Sequence, residues 1–129
     1  MANSSQEFRG RLLSFNDLDI LVAIIIADDI YKSIPQSRKV SEILTGWKHQ
    51  MEIYGPGLID LMLDDFLRSP EDQAEFFSFL EEIRHRVTIM GDIIPASMLN
   101  DRTVMGIAFK DYPASAVLSL LNGLDGFVR

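Results

Sequence analysis

The sequence predicts an all-α protein, a single-domain bundle of about five to six helices around a central Ile-rich helix. Apolar residues recur at three- and four-residue steps in several segments, and capping residues stand at the starts of these segments. The length of 129 residues suits one domain with one core. We find no internal repeat or linker, so residues 1–129 are expected to form one domain. Hydrophobic residues make up 47% of the chain, which excludes a disordered protein.

The central helix is predicted from its start signal and from its apolar run. Asn16 suits the N-cap, and Asp17 and Asp19 place negative charge in the first turn, where it favours the helix dipole. The helix is expected to run to about Ser33. Residues 20–27 are apolar almost without interruption, so this helix should lie at the centre of the core. Its β-branched isoleucines leave a buried strand over residues 20–26 as an alternative.

Further helices follow from the same signals. Ser37 and Ser69 suit N-caps, Pro70 suits the first helical position, and Gly91 suits a helix end. A helix or a lone strand is expected over residues 103–109. The other expected helices cover residues 5–13, 38–54, 58–67, 70–90, 95–99 and 113 onward.

The negative charge is concentrated in one segment. The chain has 12 basic and 19 acidic residues, a net charge of −7. Residues 60–82 contain eight acidic residues and one basic residue, Arg68, so this segment alone carries −7 and the remainder sums to zero. A local field of one sign attracts partners of the opposite sign, although it also serves to keep an apolar protein in solution. The residues expected to bind a partner are Asp60, Asp64, Asp65, Glu71, Asp72, Glu75, Glu82 and His85.

These observations favour a non-catalytic cytoplasmic protein that binds and neutralises a basic partner protein. In size and charge the chain is similar to the small acidic immunity proteins with which bacteria block their own nuclease toxins, so a toxin is one such partner. Phe77 and Phe79 are candidate aromatic anchors unless they belong to the core. Nucleic acid is an unfavourable partner because its phosphates require Lys and Arg. The apolar run of residues 20–27 is too short to span a bilayer.

Two other classes of function remain open. A small enzyme or ligand-binding protein would use His85 with Glu81 or Glu82, provided that these groups converge on a cavity. A structural homodimer would cover its apolar surface through the last helix. We expect no metal and no cofactor, because the Glu82-x-x-His85 spacing lacks the second such motif of a di-iron bundle and the chain contains no cysteine.

Overall fold

The computed structural model describes residues 2–101 and 107–129. These residues form six helices and two small antiparallel sheets of two strands each, so the fold is mostly helical but mixed, and the expected all-α bundle is wrong. The element order is β1 (Asn3–Phe8), β2 (Arg11–Asn16), α1 (Asp17–Ile30), α2 (Arg38–Glu52), α3 (Leu63–Phe66), α4 (Pro70–Met90), β3 (Ile93–Ile94), α5 (Ala96–Leu99), β4 (Tyr112–Pro113) and α6 (Ala114–Val128).

The chain begins with a β-hairpin, so the helix expected over residues 5–13 is wrong. Strands β1 and β2 pair antiparallel, with Phe8 opposite Arg11. Every second residue of β1 is buried, which is the period of a strand rather than that of a helix. The turn consists of Arg9 and Gly10, whose φ angles are 50° and 78°. Two positive φ angles match the twist of a two-residue hairpin, so this turn joins the strands without splaying them.

Helix α1 forms the centre of the core, as the sequence predicts. The amide of Leu18 donates to Asn16 Oδ1 at 2.8 Å, which confirms the N-cap. Every residue from Ile20 to Ala27 is at most 2% exposed, because α1 packs against α2, α4 and α6. The alternative of a strand over residues 20–26 is therefore wrong.

Most of the remaining helices are confirmed. Ser37 and Ser69 cap α2 and α4 through their side chains, and α4 ends at Gly91. Helices α5 and α6 begin directly after Pro95 and Pro113. The expectation for residues 103–109 falls partly on residues 102–106, which lie outside the described part of the chain, and residues 108–111 belong to neither a helix nor a strand.

The helix expected over residues 58–67 is confirmed only for the four residues of α3. The residues before α3 run beside β1, and their amides are bound by side chains of that strand. The amide of Ile59 donates to Ser4 Oγ at 3.1 Å. The amide of Leu61 donates to Gln6 Oε1 at 2.7 Å. Because these donors are already engaged, they are not available for the bonds of a longer helix.

A buried carboxylate ties this segment to the core. Asp17 is 1% exposed and accepts hydrogen bonds from the Ser4 hydroxyl, from the Tyr54 hydroxyl at 2.9 Å and from the Gly57 amide at 2.8 Å. Its partners belong to β1, to the end of α2 and to the segment before α3. One side chain therefore fixes three separate parts of the chain relative to α1.

The C-terminal end of α6 closes the fold against the hairpin. The rings of Phe8 and Phe127 lie 6.2 Å apart between centroids. The Arg11 guanidinium donates to the carbonyl oxygen of Phe127 and lies over its ring. Residues that are distant in sequence thus form one edge of the core.

The three tyrosines make the stability of the fold depend on pH in the alkaline range. Burial raises the pKa of Tyr54 from 10.0 to about 12, and the hydrogen bond to Asp17 adds to this shift. Burial likewise raises the pKa of Tyr31 to about 12. Burial also raises the pKa of Tyr112, with a further contribution from its hydrogen bond to Asp19. Each phenol is therefore harder to ionise in the folded chain than in the unfolded chain.

We expect the free energy of unfolding to fall as the pH rises from 10 towards 12. A pKa that is raised on folding stabilises the fold below the unfolded value, and this contribution is lost as the pH rises through the folded value. Urea unfolding followed by circular dichroism at several alkaline pH values measures this loss. Tyr54→Phe should show a smaller loss than the native chain, and an equal loss in both proteins would contradict the assignment to Tyr54.

Candidate functional site

Six of the eight acidic residues in the segment 60–82 form no ion pair with any residue that the structure describes. The two exceptions are Asp72, which pairs with Lys39, and Glu81, which pairs with Arg84. We refer to the other six side chains as the open carboxylates. They are Asp60, Asp64, Asp65, Glu71, Glu75 and Glu82.

Three of the open carboxylates lie together in a cleft between β1 and the residues around α3. Asp60, Asp64 and Asp65, joined by Glu7 of β1, line a concave space of about 420 Å³. Asp60 Oδ1 accepts from the Met62 amide at 2.8 Å, which orients this side chain locally. The ten residues lining this acidic cleft include no Lys or Arg. The cleft is therefore a concave surface of one sign of charge.

The acids at the start of α4 differ in their surroundings. Glu71 is exposed, as the sequence predicts for a binding residue. Asp72 is half-buried, its Oδ2 accepts from the Arg68 amide at 3.1 Å, and its Oδ1 lies 3.7 Å from Lys39 Nζ. The structure thus engages Asp72 within the fold rather than leaving it for a partner.

Glu75 and Glu82 lie on the side of α4 that faces the end of α1. Burial raises the pKa of Tyr31, and the charges of Glu82 and Glu75 raise it further. The ring of Tyr31 stacks on Phe79 with centroids 5.9 Å apart. Phe79 is fully buried, so it belongs to the core and is not a surface anchor. Phe77 is half-buried beneath the Arg129 guanidinium, 4.2 Å from its ring centroid.

Arg9, in the turn of the hairpin, joins the acidic cleft to α4. Its amide donates to Asp64 Oδ1 at 3.3 Å. Its guanidinium lies against α4, where it donates to the Gln73 side-chain oxygen at 2.6 Å. The structure therefore arranges the open carboxylates in two groups, one in the cleft and one along α4, with a cation between them.

A second hollow, which sequence reasoning missed, lies between α2 and α3. It measures about 780 Å³, and Met62 and Phe66 form its apolar wall. On the α2 side the small residues Ser41, Thr45 and Gly46 form its floor. We call this hollow the α2–α3 groove. Because Met62 lines both hollows, the groove adjoins the acidic cleft.

Gly46 explains the shape of this groove. A Cβ atom at this position would lie 2.7 Å from Phe66 Cζ and 3.0 Å from Met62 Cε, so glycine lets the ends of both side chains approach α2 without shifting. Glycine inside a helix destabilises it by about 1 kcal/mol relative to alanine. A glycine in the middle of α2, with small residues on the same face, is the sequence signal that would have indicated the groove.

The residues that the two alternative functions would use do not line a cleft or groove as the acidic residues do. His85 and Glu82 are exposed, Glu81 pairs with Arg84, and none of these residues lines any of five hollows between about 260 and 780 Å³. In α6 the apolar residues Val117, Leu121 and Leu124 are buried in the core, and Leu118 is half-buried.

Among the described residues, no group of three or more His, Asp or Glu side chains is arranged to hold a metal ion. In the same residues, no helix combines the length and the apolar character needed to cross a membrane. No protein-family model, no curated protein and no solved structure matches this chain.

Proposed function

We propose that this chain is a non-catalytic binding protein that recognises and neutralises a basic partner protein through residues 60–85. The observation that carries the proposal is the set of six open carboxylates, none of which forms an ion pair with a described residue. Uncompensated charge of one sign raises the rate at which an oppositely charged protein associates and selects against other partners.

The distribution of cations supports this interpretation over a purely solubilising role. Several basic side chains form ion pairs with acids outside the open carboxylates. Besides Lys39–Asp72 and Arg84–Glu81, the pairs are Arg38–Glu42, Lys39–Glu42, Lys48–Asp28, Arg84–Asp125, Arg86–Asp29 and Arg129–Asp125. Acids that only maintained solubility would gain as much by being spread over the surface, whereas four carboxylates in one concave cleft repel one another. A concave site also concentrates the field at the position where a cation would bind.

A basic nuclease toxin is the kind of partner that this charge fits, in keeping with the general likeness to acidic immunity proteins. Binding would act by occlusion, since carboxylates would occupy the positions on the toxin that otherwise bind phosphates of nucleic acid. Recognition of this kind requires no reaction, metal or cofactor from the chain. The cytoplasmic location expected from the sequence remains part of this proposal.

A charge-neutralised variant tests the proposal. The variant carries Asp64→Asn, Glu71→Gln, Glu75→Gln and Glu82→Gln, and both it and the native chain are used to capture proteins from the source organism. We expect the native chain to retain a basic protein that the variant does not retain. With this protein purified, the variant should associate about tenfold more slowly at low salt, and its rate should depend less on ionic strength.

The matched control neutralises four exposed acids elsewhere, by Glu52→Gln, Asp92→Asn, Asp101→Asn and Asp111→Asn. Its net charge changes by the same amount, so only the position of the charge differs between the two variants. Equal association rates for the two variants would show that position does not matter. That result, or capture of no basic protein by the native chain, would refute the proposed function.

A further inference from the structure

We propose that the α2–α3 groove receives an amphipathic basic helix of the partner, with apolar side chains of that helix against Met62 and Phe66. Its Lys or Arg side chains would then reach the acidic cleft at Asp60, Asp64 and Asp65. This inference rests on the proposed function and adds to it the form of the partner segment. It also assigns to the apolar groove the part of the affinity that surface charge does not supply.

The chemistry of the groove supports an apolar occupant. This face of α2 carries the small residues Ser41, Thr45 and Gly46, which leave room for an apolar occupant, with Glu42 beside them and Arg38 and His49 at the two ends. The short side chains of Ser41 and Thr45 allow a second helix to pack at about 8–10 Å between axes, beside the Met62 and Phe66 side chains that cover Gly46. Within the described residues, no other element of the chain lines this hollow besides α2, α3 and the adjoining Met62.

The length of the groove favours a helix of about three turns. Its lining residues on α2 recur at three- and four-residue steps from Arg38 to His49, which is one continuous stripe along the helix. This stripe is about 16 Å long, since each helical residue rises 1.5 Å. An amphipathic helix of about 11 residues has the same length and presents an apolar stripe of the same period.

Charge complementarity selects the chemistry of that helix. The groove adjoins at Met62 the cleft that contains Asp60, Asp64 and Asp65, none of which forms an ion pair with a described residue. Cations placed beside the apolar stripe would therefore meet uncompensated carboxylates as the stripe enters the groove. A second copy of this chain fits less well, because its net charge is −7 and would add repulsion.

A pair of synthetic peptides provides the test. The first is a labelled peptide of about 14 residues with leucines at helical spacing and lysines beside them, and the second has the same composition with the spacing scrambled. Fluorescence anisotropy should show that the native chain binds the first peptide about tenfold more tightly than the second. In nuclear magnetic resonance spectra, the largest shifts should fall on Thr45, Gly46, Met62 and Phe66.

Variants locate the binding to the groove. Thr45→Arg places a long cation on an exposed position in the groove, so it should weaken binding of the first peptide about tenfold without altering the fold. The control Asn122→Arg makes the same change of charge at an exposed position of α6, and it should weaken binding less than about twofold. Circular dichroism and thermal unfolding verify that both variants are folded.

The outcomes separate this inference from the proposed function. If both peptides bind equally and Thr45→Arg behaves like Asn122→Arg, the groove is not a docking site, while capture of a basic protein through the open carboxylates is unaffected. If the native chain is a dimer and Thr45→Arg makes it monomeric, the groove belongs to a second copy and the inference is refuted. If neither the charge-neutralised variant nor Thr45→Arg retains the basic protein that the native chain captures, the inference is supported.

Discussion

Replacing Asp17 by alanine is expected to lower the free energy of unfolding by about 4 kcal/mol. The carboxylate is 1% exposed and accepts from the buried Ser4 hydroxyl, the half-buried Tyr54 hydroxyl and the Gly57 amide, so its removal leaves three donors without their acceptor. Urea unfolding monitored by circular dichroism at neutral pH measures the change. The same variant should release the segment before α3, which we expect to see as faster hydrogen exchange at Ile59.

Two further variants test this explanation. Tyr54→Phe removes a single donor to Asp17 and should cost about 1 kcal/mol. Glu52→Ala removes an exposed carboxylate at the end of α2 and should change stability by less than about 0.5 kcal/mol. A loss for Asp17→Ala no larger than that for Glu52→Ala would show that the buried hydrogen bonds contribute little.

Trp47→Ala is expected to destabilise the fold by about 4 kcal/mol. Trp47 is fully buried, and its ring packs edge-on against Phe76 and Phe79 at centroid distances of 6.0 and 5.4 Å. Its indole Nε1 also donates to the carbonyl oxygen of Leu61 at 3.0 Å. The substitution therefore opens a cavity in the core and removes an anchor of the segment that leads into α3. Chemical unfolding of the two proteins under identical conditions measures the difference.

Trp47→Phe separates the two contributions of this side chain. Phenylalanine retains most of the apolar contact but has no donor for the Leu61 carbonyl, so we expect a loss of about 2 kcal/mol. Resonances of residues 61–66 should shift in this variant even though its core remains filled. Equal losses for the two substitutions would indicate that packing volume contributes nothing, which contradicts the buried position of the ring.

The helices with local start and stop signals could be predicted from the sequence. Helices α1, α2 and α4 have an N-cap side chain in Asn16, Ser37 and Ser69, and this information lies within a few residues of each helix start. The hairpin was missed because the apolar residues around Phe8 fit a helical spacing as well as an alternating one. The decisive signal was the turn, where Gly10 accommodates a positive φ angle.

The segment before α3 could not be predicted from local pattern, although the four residues of α3 itself could. The amides of this segment are bound by side chains of β1 and by Asp17, which are more than 30 residues away in sequence. The concentration of acids was visible in the sequence, but which of them are compensated depends on the fold. Asp72 illustrates this, because its partner Lys39 lies on another helix. The apolar groove likewise requires Phe66 and Gly46 to meet across two elements.

The contact of the hairpin with Phe127 also bears on how the chain reaches its native state. Arg11 and Phe127 are 116 residues apart, so the loop between them is closed only after most of the polypeptide is in place. Contacts between residues so far apart in sequence slow folding, because the entropy of closing the loop is lost before the contact stabilises the chain. A nascent chain that has emerged only as far as α4 therefore lacks Phe127, which packs against Phe8 in the complete fold. Until α6 arrives, this apolar edge is open to chaperones and to aggregation.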